Sequence, residues 1–194
     1  PADFVATDQL PRTPSGKLEE VELVPILERS LLIVRHHFEL RSIRVELEVA
    51  ESADDTLRCD AAQVQQALVA LFVNAVEAMP GGGTLTIRVT GHEDTVGIVV
   101  ADTGSGIDPE VLPHIFEPFV TTKGDAKGVG LGLAVVYGIV QGHRGTIHVE
   151  SEPGQGTRFD ISLPREPGDT DASSTPPPAE LQPPPPSFGS KADS

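Results

Sequence analysis

The sequence predicts an α/β fold, a two-layer sandwich in which one mixed sheet packs against three long helices. Three observations carry this. Apolar residues recur at three- and four-residue spacing over residues 21–41, 60–79 and 131–141, the period of a helix with one buried side. Between and after these runs lie about six short apolar segments, the first of which alternates strictly with charged residues. Proline and glycine clusters stand at the boundaries, where turns are needed.

Residues 1–20 are polar and broken by Pro11, Pro14 and Gly16, so they read as a linker or the remnant of a preceding element. Leu23, Leu27, Leu31, Val34 and Phe38 mark the first helix. His36 and His37 sit in it. Each reads as a solvated side chain or as a phosphoacceptor or ligand, but no second ligand stands at i+4, where Leu40 and Arg41 are found. Ile43, Val45, Leu47 and Val49 form a strand with one wet face, and a short strand follows over Thr56–Cys59. Asp60 is the expected N-cap of the second helix, with Gln63 completing a capping box. Val64, Leu68, Leu71, Phe72, Ala75 and Met79 form its apolar stripe, and Pro80 with Gly81–Gly83 ends it.

Asn74 lies late in this helix. Its amide either bonds neighbouring backbone or offers an oxygen to a hard cation such as magnesium. Thr84–Thr90 and Thr95–Ala101 read as two strands, the second delivering Asp102. Asp102 either caps its turn by an Asx bond to Gly104 or accepts a ligand N–H at the floor of a pocket. Residues 108–127, with Pro109, Pro113, Pro118 and Gly124, are too long and broken for a plain connector and read as a lid. Phe116 and Phe119 either anchor that lid or stack near a bound base. Thr146–Ser151 and Thr157–Leu163 are the last strands. Half of the 18 prolines lie from Pro164 onward, so residues 165–194 read as a disordered tail, a spacer or a proline-motif ligand, and the folded domain as 21–164.

The net charge of −15 argues against broad nucleic-acid binding, which needs a basic surface. The single cysteine, Cys59, excludes an internal disulfide and reads as a small core residue in a reducing compartment. No run approaches the roughly 18 apolar residues of a membrane span. An anion bound by so acidic a chain needs local donors, and Lys123, Lys127, Arg144 and glycine N–H groups are the candidates. Two glycine-rich stretches supply the glycines. DTGSGI, Asp102–Ile107, follows a strand; GVGLGL, Gly128–Leu133, opens the third helix, where N–H groups and partial positive charge face an anion.

In order along the chain, VNAVEAM, DTGSGI, FEPFVTTK, GVGLGL and GQGTRFDISLP resemble the Asn box, first glycine box, Phe box, second glycine box and closing hairpin of one family. That family is the catalytic and ATP-binding domain of bacterial sensor histidine kinases, in the superfamily of gyrase B, MutL and the heat-shock chaperone ATPases. The resemblance covers about residues 21–164. It implies a Bergerat-type ATP-binding fold whose mixed sheet is mostly antiparallel. It also implies ATP and Mg²⁺ as cofactors, with Asn74 binding the cation and Asp102 accepting from the adenine amino group. Gly104 and Gly106 would make room for the base, and Thr157 would support it beside Asp102. Gly128, Gly130, Leu131 and Gly132 would offer N–H groups to the phosphates, and Lys123 would be a catalytic lid cation. Ile107, Phe119, Thr121, Thr122 and Val129 would complete the nucleotide site. The Gly-Lys-Ser/Thr phosphate loop is absent, which excludes that other class of nucleotide enzyme.

Two departures shape the expected function. Ala70 stands where the family usually has a polar residue and where gyrase-like ATPases place the Glu that activates water, so no general base is expected there. Neither His36 nor His37 is followed by the acidic residue of a family phosphoacceptor. The acceptor is therefore expected on a dimerisation domain outside this chain, with a response regulator as onward partner. The isolated chain is expected to be a cytoplasmic monomer without nucleic-acid or membrane contact. The alternative is a nucleotide-binding regulatory module with little or no phosphotransfer; an anti-sigma-type serine kinase on the same fold is a further rival.

Overall fold

The computed structural model describes residues 17–50, 54–120 and 130–166. The chain runs β1 (Glu19–Glu22), α1 (Leu23–Leu40), β2 (Ile43–Val49), β3 (Thr56–Cys59), α2 (Ala61–Ala78), β4 (Gly83–Gly91), β5 (Thr95–Asp102), a short 3-10 helix (Leu112–His114), α3 (Gly132–Gly142), β6 (Thr146–Glu152) and β7 (Gly156–Pro164). The expected α/β sandwich is present, with one correction. The main sheet has five strands in the order β2-β4-β5-β7-β6, and β3 pairs instead with β1 in a separate antiparallel ribbon. Within the main sheet only β2 and β4 are parallel. Glu19 and Glu20 thus belong to a strand and not to a linker.

Strand alternation builds the two faces. Leu85, Ile87 and Val89 of β4, Val96, Ile98 and Val100 of β5, and Phe159, Ile161 and Leu163 of β7 are all buried. Each such side chain contributes about 1.5–3 kcal/mol by leaving water. The intervening residues carry charge: Arg88 meets Glu48 at 2.7 Å and Arg158 meets Asp160 at 2.6 Å. α1 buries Leu23, Ile26, Leu27, Val34 and Phe38, and α2 buries Val64, Leu68, Leu71, Phe72 and Ala75 against the same core. The Phe38 and Phe72 rings meet edge to face at 6.4 Å.

The helix ends are closed by specific partners. α1 has no local side-chain cap; Asp55, from the loop before β3, accepts from Leu23 N–H at 3.1 Å and, by its carboxylate, from Val24 N–H at 2.7 Å. Pro25 is tolerated because its missing N–H falls in the first turn, where no helical acceptor exists. Asp60 caps α2 as expected, accepting from Ala62 and Gln63 N–H at 3.1 Å. Gln63 donates to the Asp60 carboxylate at 3.0 Å and does not return to the Asp60 N–H.

Arg165 extends the fold past its expected end at 164. Its guanidinium donates to the carbonyls of His92 at 2.9 Å, Thr56 at 2.5 Å and Asp54 at 2.5 Å. Its backbone N–H donates to Asp94 and its carbonyl accepts from Arg58. One residue therefore joins the β1–β3 ribbon to the β4–β5 turn. Among the described residues no helix is long and apolar enough to cross a membrane. Residues 1–16 of the expected linker and 167–194 of the expected tail lie outside the described residues.

Candidate nucleotide site

A cleft of about 710 Å³ opens between α2, the end of β5, and the start of α3. One side of α2 faces it: Ala70, Val73, Asn74, Glu77 and Ala78 all line the cleft, while the opposite side of the helix is core. Sequence reading singled out Asn74 and Ala70 here. Glu77, three positions after Asn74, lines the same cleft without having been singled out by the sequence.

Asp102, the last residue of β5, lines the cleft. The β5–β7 register sets it directly opposite Thr157. Its Oδ1 accepts from Gly104 N–H at 2.8 Å, so the expected Asx bond is present, and the residue also lines the cleft. Burial pushes the Asp102 carboxyl above the usual carboxylate range, against the backbone N–H groups of Gly104 and Thr157, which hold it down. Thr157 is buried, with Oγ1 3.0 Å from Ser151 Oγ. Ser151 accepts from Ile107 N–H at 2.9 Å and donates to Gly156 carbonyl at 2.9 Å. Ser151, another residue that sequence reading missed, thus ties the glycine turn to the β6–β7 hairpin.

Two glycines are dictated by this close approach. Gly106 has φ +67, and a Cβ there would collide with the Glu152 carbonyl; Gly156 has φ +97, and a Cβ there would collide with the Asp102 carbonyl. Ser105 N–H donates to Ala78 carbonyl at 3.0 Å, which pins the turn to the end of α2.

Gly130, Leu131, Gly132 and Leu133 bring the N-terminus of α3 to the cleft. Ile107, Val111, Ile115 and Phe159 supply an apolar wall. The arrangement offers a carboxylate floor, an apolar slot and helix N–H groups at the far side, which suits a flat base joined to an anion.

The profile of one family, described as histidine kinase-, DNA gyrase B-, and HSP90-like ATPase, matches residues 59–167, more than half of the 194. The chain belongs to this family. Within the family its similarity is to sensor histidine kinases. The sensor histidine kinase ZraS of Escherichia coli (strain K12) is 37% identical over 150 residues, covering 76% of this chain and 31% of that protein. The catalytic domain of histidine kinase ThkA superposes with a TM-score of 0.68 at 26% identity, covering 78% of this chain and 97% of that domain. ThkA is also known in complex with the response regulator protein TrrA. Full-length ShkA in complex with AMPPNP superposes with a TM-score of 0.67 at 27% identity, covering 75% of this chain and 30% of ShkA. The chain spans about a third or less of the curated relatives it matches, from 14% to 33%. It is a histidine kinase catalytic domain of ATP-binding type.

Several expected residues of this kinase domain lie elsewhere. Gly104 lies behind Asp102 and does not line the cleft. Phe119 is 71% exposed with φ +70, so it neither anchors a core nor lines the cleft. Phe116 is the anchor, part-buried on the core with its ring 5.3 Å from Tyr137. Arg144 sits in the turn after α3 and does not line the cleft. His36 and His37 are exposed on α1. Cys59 is fully buried, and its thiol is pushed up to about 12, chiefly by that burial and further by Asp60 and Glu19. Thr121, Thr122, Lys123, Lys127, Gly128 and Val129 lie outside the described residues, and the segment read as a lid is described only as far as Val120. Among the described residues no group of three or more His, Cys, Asp or Glu could hold a metal.

Proposed function

We propose that this domain binds ATP together with magnesium and presents the γ-phosphoryl group to a histidine outside this chain, on the dimerisation domain of a parent kinase. The observation that carries the reading is Asp102 in the cleft lining, partly buried and held opposite Thr157 by strand register. A carboxylate there accepts from the adenine amino group and is left without that partner by guanine. Gly106 and Ile107 flank the base, and Gly130, Leu131 and Gly132 offer backbone N–H groups to the phosphates at the start of α3. Gly128, Val129, Thr121, Thr122 and Lys123 are assigned to the same site by the family resemblance alone, since they lie outside the described residues.

The cleft suits magnesium in its donor chemistry. It carries an amide oxygen at Asn74 and no soft or imidazole ligand among the described lining residues. Asn74 would hold the ion, which supplies charge neutralisation for the triphosphate. None of the six histidines lines the cleft. Ala70, at the cleft edge, has no group able to activate water. Both points favour transfer to an outside imidazole over hydrolysis, with catalysis by positioning. The pairing of ThkA with TrrA supports a response regulator as the onward recipient for the parent kinase. The reaction belongs in the cytoplasm, consistent with a lone reduced cysteine.

The test supplies a helical phosphoacceptor domain from a related kinase with γ-labelled ATP. Acid-labile label on its histidine, lost in Asn74→Ala, is the expected result. A second reading, a nucleotide-binding regulatory module, is favoured by Ala70 alone; ATP binding without label on any tethered acceptor would select it.

A further inference from the structure

Asp102, Thr157 and Ser151 stand in one row across three neighbouring strands. Register sets Asp102 of β5 opposite Thr157 of β7, and Thr157 opposite Ser151 of β6. Residues paired in this way share one face of a sheet. Here it is the face of Val100, Phe159 and Val149, each two positions away and part of the core that the helices cover. Asp102 and Thr157 line the cleft. Ser151 is half-buried and does not line it, yet its Oγ lies 3.0 Å from Thr157 Oγ1.

A serine hydroxyl has one hydrogen to donate and two lone pairs to accept with. Ser151 Oγ has three partners: the Ile107 N–H at 2.9 Å, the Gly156 carbonyl at 2.9 Å and Thr157 Oγ1. The N–H can only donate and the carbonyl can only accept. All three contacts are therefore made together in one arrangement alone. Ser151 donates to Gly156 and accepts from both Ile107 and Thr157. The Thr157 hydrogen is then held inside the fold, and Thr157 Oγ1 keeps only lone pairs for the cleft. Its neighbour Asp102 is also an acceptor when ionised. Two neighbouring acceptors fit the amino group of a 6-aminopurine, which carries two N–H hydrogens. A 6-oxopurine can still donate its N1–H to Asp102, but its oxygen then meets the Thr157 lone pairs.

We propose that Ser151 is a positioning residue for nucleotide selection: by holding the Thr157 hydroxyl hydrogen it keeps Thr157 an acceptor and so favours 6-aminopurine over 6-oxopurine nucleotides. The proposal rests on the ATP reading above. Ser151 acts through Thr157 and not on the nucleotide.

ADP and IDP, which differ only at N1 and position 6 of the purine, are the probes, titrated by calorimetry into the purified chain. Ser151→Ala frees the Thr157 hydrogen to reach the IDP oxygen. The preference for ADP over IDP should fall by about 3–10-fold, the worth of one neutral hydrogen bond. A merely structural Ser151 would weaken both ligands alike, and an unchanged ratio would overturn the proposal. Thr157→Val should also lower the ratio, and Ser151→Ala added to it should lower it no further. Additive effects of the two substitutions would overturn the proposal as well. Should Ser151→Ala not fold, Thr157→Val still decides, since an unchanged ratio in that variant removes Thr157 as the reader. An unmutated chain that binds ADP and IDP equally would remove both this proposal and Asp102 as the base reader of the ATP reading.

Discussion

Nε2 of His143 accepts a hydrogen bond from the backbone N–H of Asp60 at 3.0 Å, across 83 positions of sequence. Nδ1 of the same ring donates to Ile139 carbonyl at 2.8 Å in the last turn of α3. One buried imidazole thus closes the C-terminus of α3 and the N-terminus of α2, the two helices that border the cleft. It takes the place that Gln63 would fill in a reciprocal capping box. His143→Ala should cost about 1–3 kcal/mol, because it leaves a buried N–H without a partner. His143→Gln, which can still accept, should recover part of this. Urea denaturation of the three proteins measures both.

Asp102 gives a pH dependence of known sign. Its folded carboxyl titrates above the ordinary 3.8 because of burial. Its contribution to stability is fully present below that ordinary value and is lost as pH rises through the raised one. At neutral pH the ionised carboxylate therefore destabilises the nucleotide-free domain. Asp102→Asn keeps an acceptor for Gly104 N–H and removes the charge. It should melt higher than the parent at neutral pH, and the difference should vanish in acid. The same substitution should weaken ATP binding by on the order of 1 kcal/mol or more. Melting curves across pH and ATP titrations check the two halves.

Much of this site was legible because its signals are local. Asp60, the apolar stripe from Val64 to Met79 and the Pro80–Gly83 stop define α2, and its geometry alone puts Asn74 near Ala70. Asp102 at a strand end between an apolar run and glycines is equally local. What escaped depends on distant partners. β1 reads EEVE, with Val21 as its one apolar residue, and becomes a strand only by pairing with β3. His143 is a lone histidine in a turn until Asp60 is brought to it. Arg165 looks like the start of a polar tail until three carbonyls converge on it. Glu77 reads as a solvated helix position, since its place on the cleft wall depends on the elements that face α2.

The Arg165 contacts predict where the folded unit ends. Arg165→Ala should cost about 1.5–3 kcal/mol, the range for hydrogen bonds to a charged group. A chain cut after Pro164 should be destabilised to a similar degree, and one cut after Glu166 should match the full chain. Thermal melting of the two truncations separates a boundary at 164 from one at 166.

Gly106 of the first box and Gly132 of the second should behave oppositely. A Cβ on Gly106 meets the Glu152 backbone, whereas a Cβ on Gly132 meets nothing within 4 Å. Gly132 is therefore not required by the fold. Gly132→Ala should retain or slightly raise stability, since alanine is the better helix former by about 0.5–1 kcal/mol in helix interiors. On the proposed function it should nevertheless weaken nucleotide binding, because the methyl group enters the space assigned to phosphate. Gly106→Ala should lower stability directly. Melting temperature and ADP titration on both variants give the contrast, and an unaltered ADP affinity in Gly132→Ala would remove Gly132 from the phosphate shell.

The last prediction concerns what the isolated chain does with ATP. All six histidines fall among the described residues, and none lines the cleft. His143 is buried with both ring nitrogens engaged; His36 and His37 are exposed on α1, where His37 lines a separate hollow with Val73 and Val76 of α2. A transfer in cis would have to carry one of them into the cleft, which the α1–α2 packing, with Phe38 against Phe72, opposes. Hydrolysis is disfavoured separately, since Ala70 cannot deprotonate water, and a missing general base typically slows a reaction by about 10²–10⁴-fold. The chain should therefore bind ATP, take up no acid-labile label and release phosphate only at a background rate. A phosphoacceptor domain added in trans should be labelled slowly, and the same domain fused to the chain much faster, because tethering raises its effective concentration. The decisive measurement is peptide mapping after incubation with γ-labelled ATP. Label on His36 or His37, or sustained phosphate release that Asn74→Ala abolishes, would show that this chain carries its own acceptor or its own base.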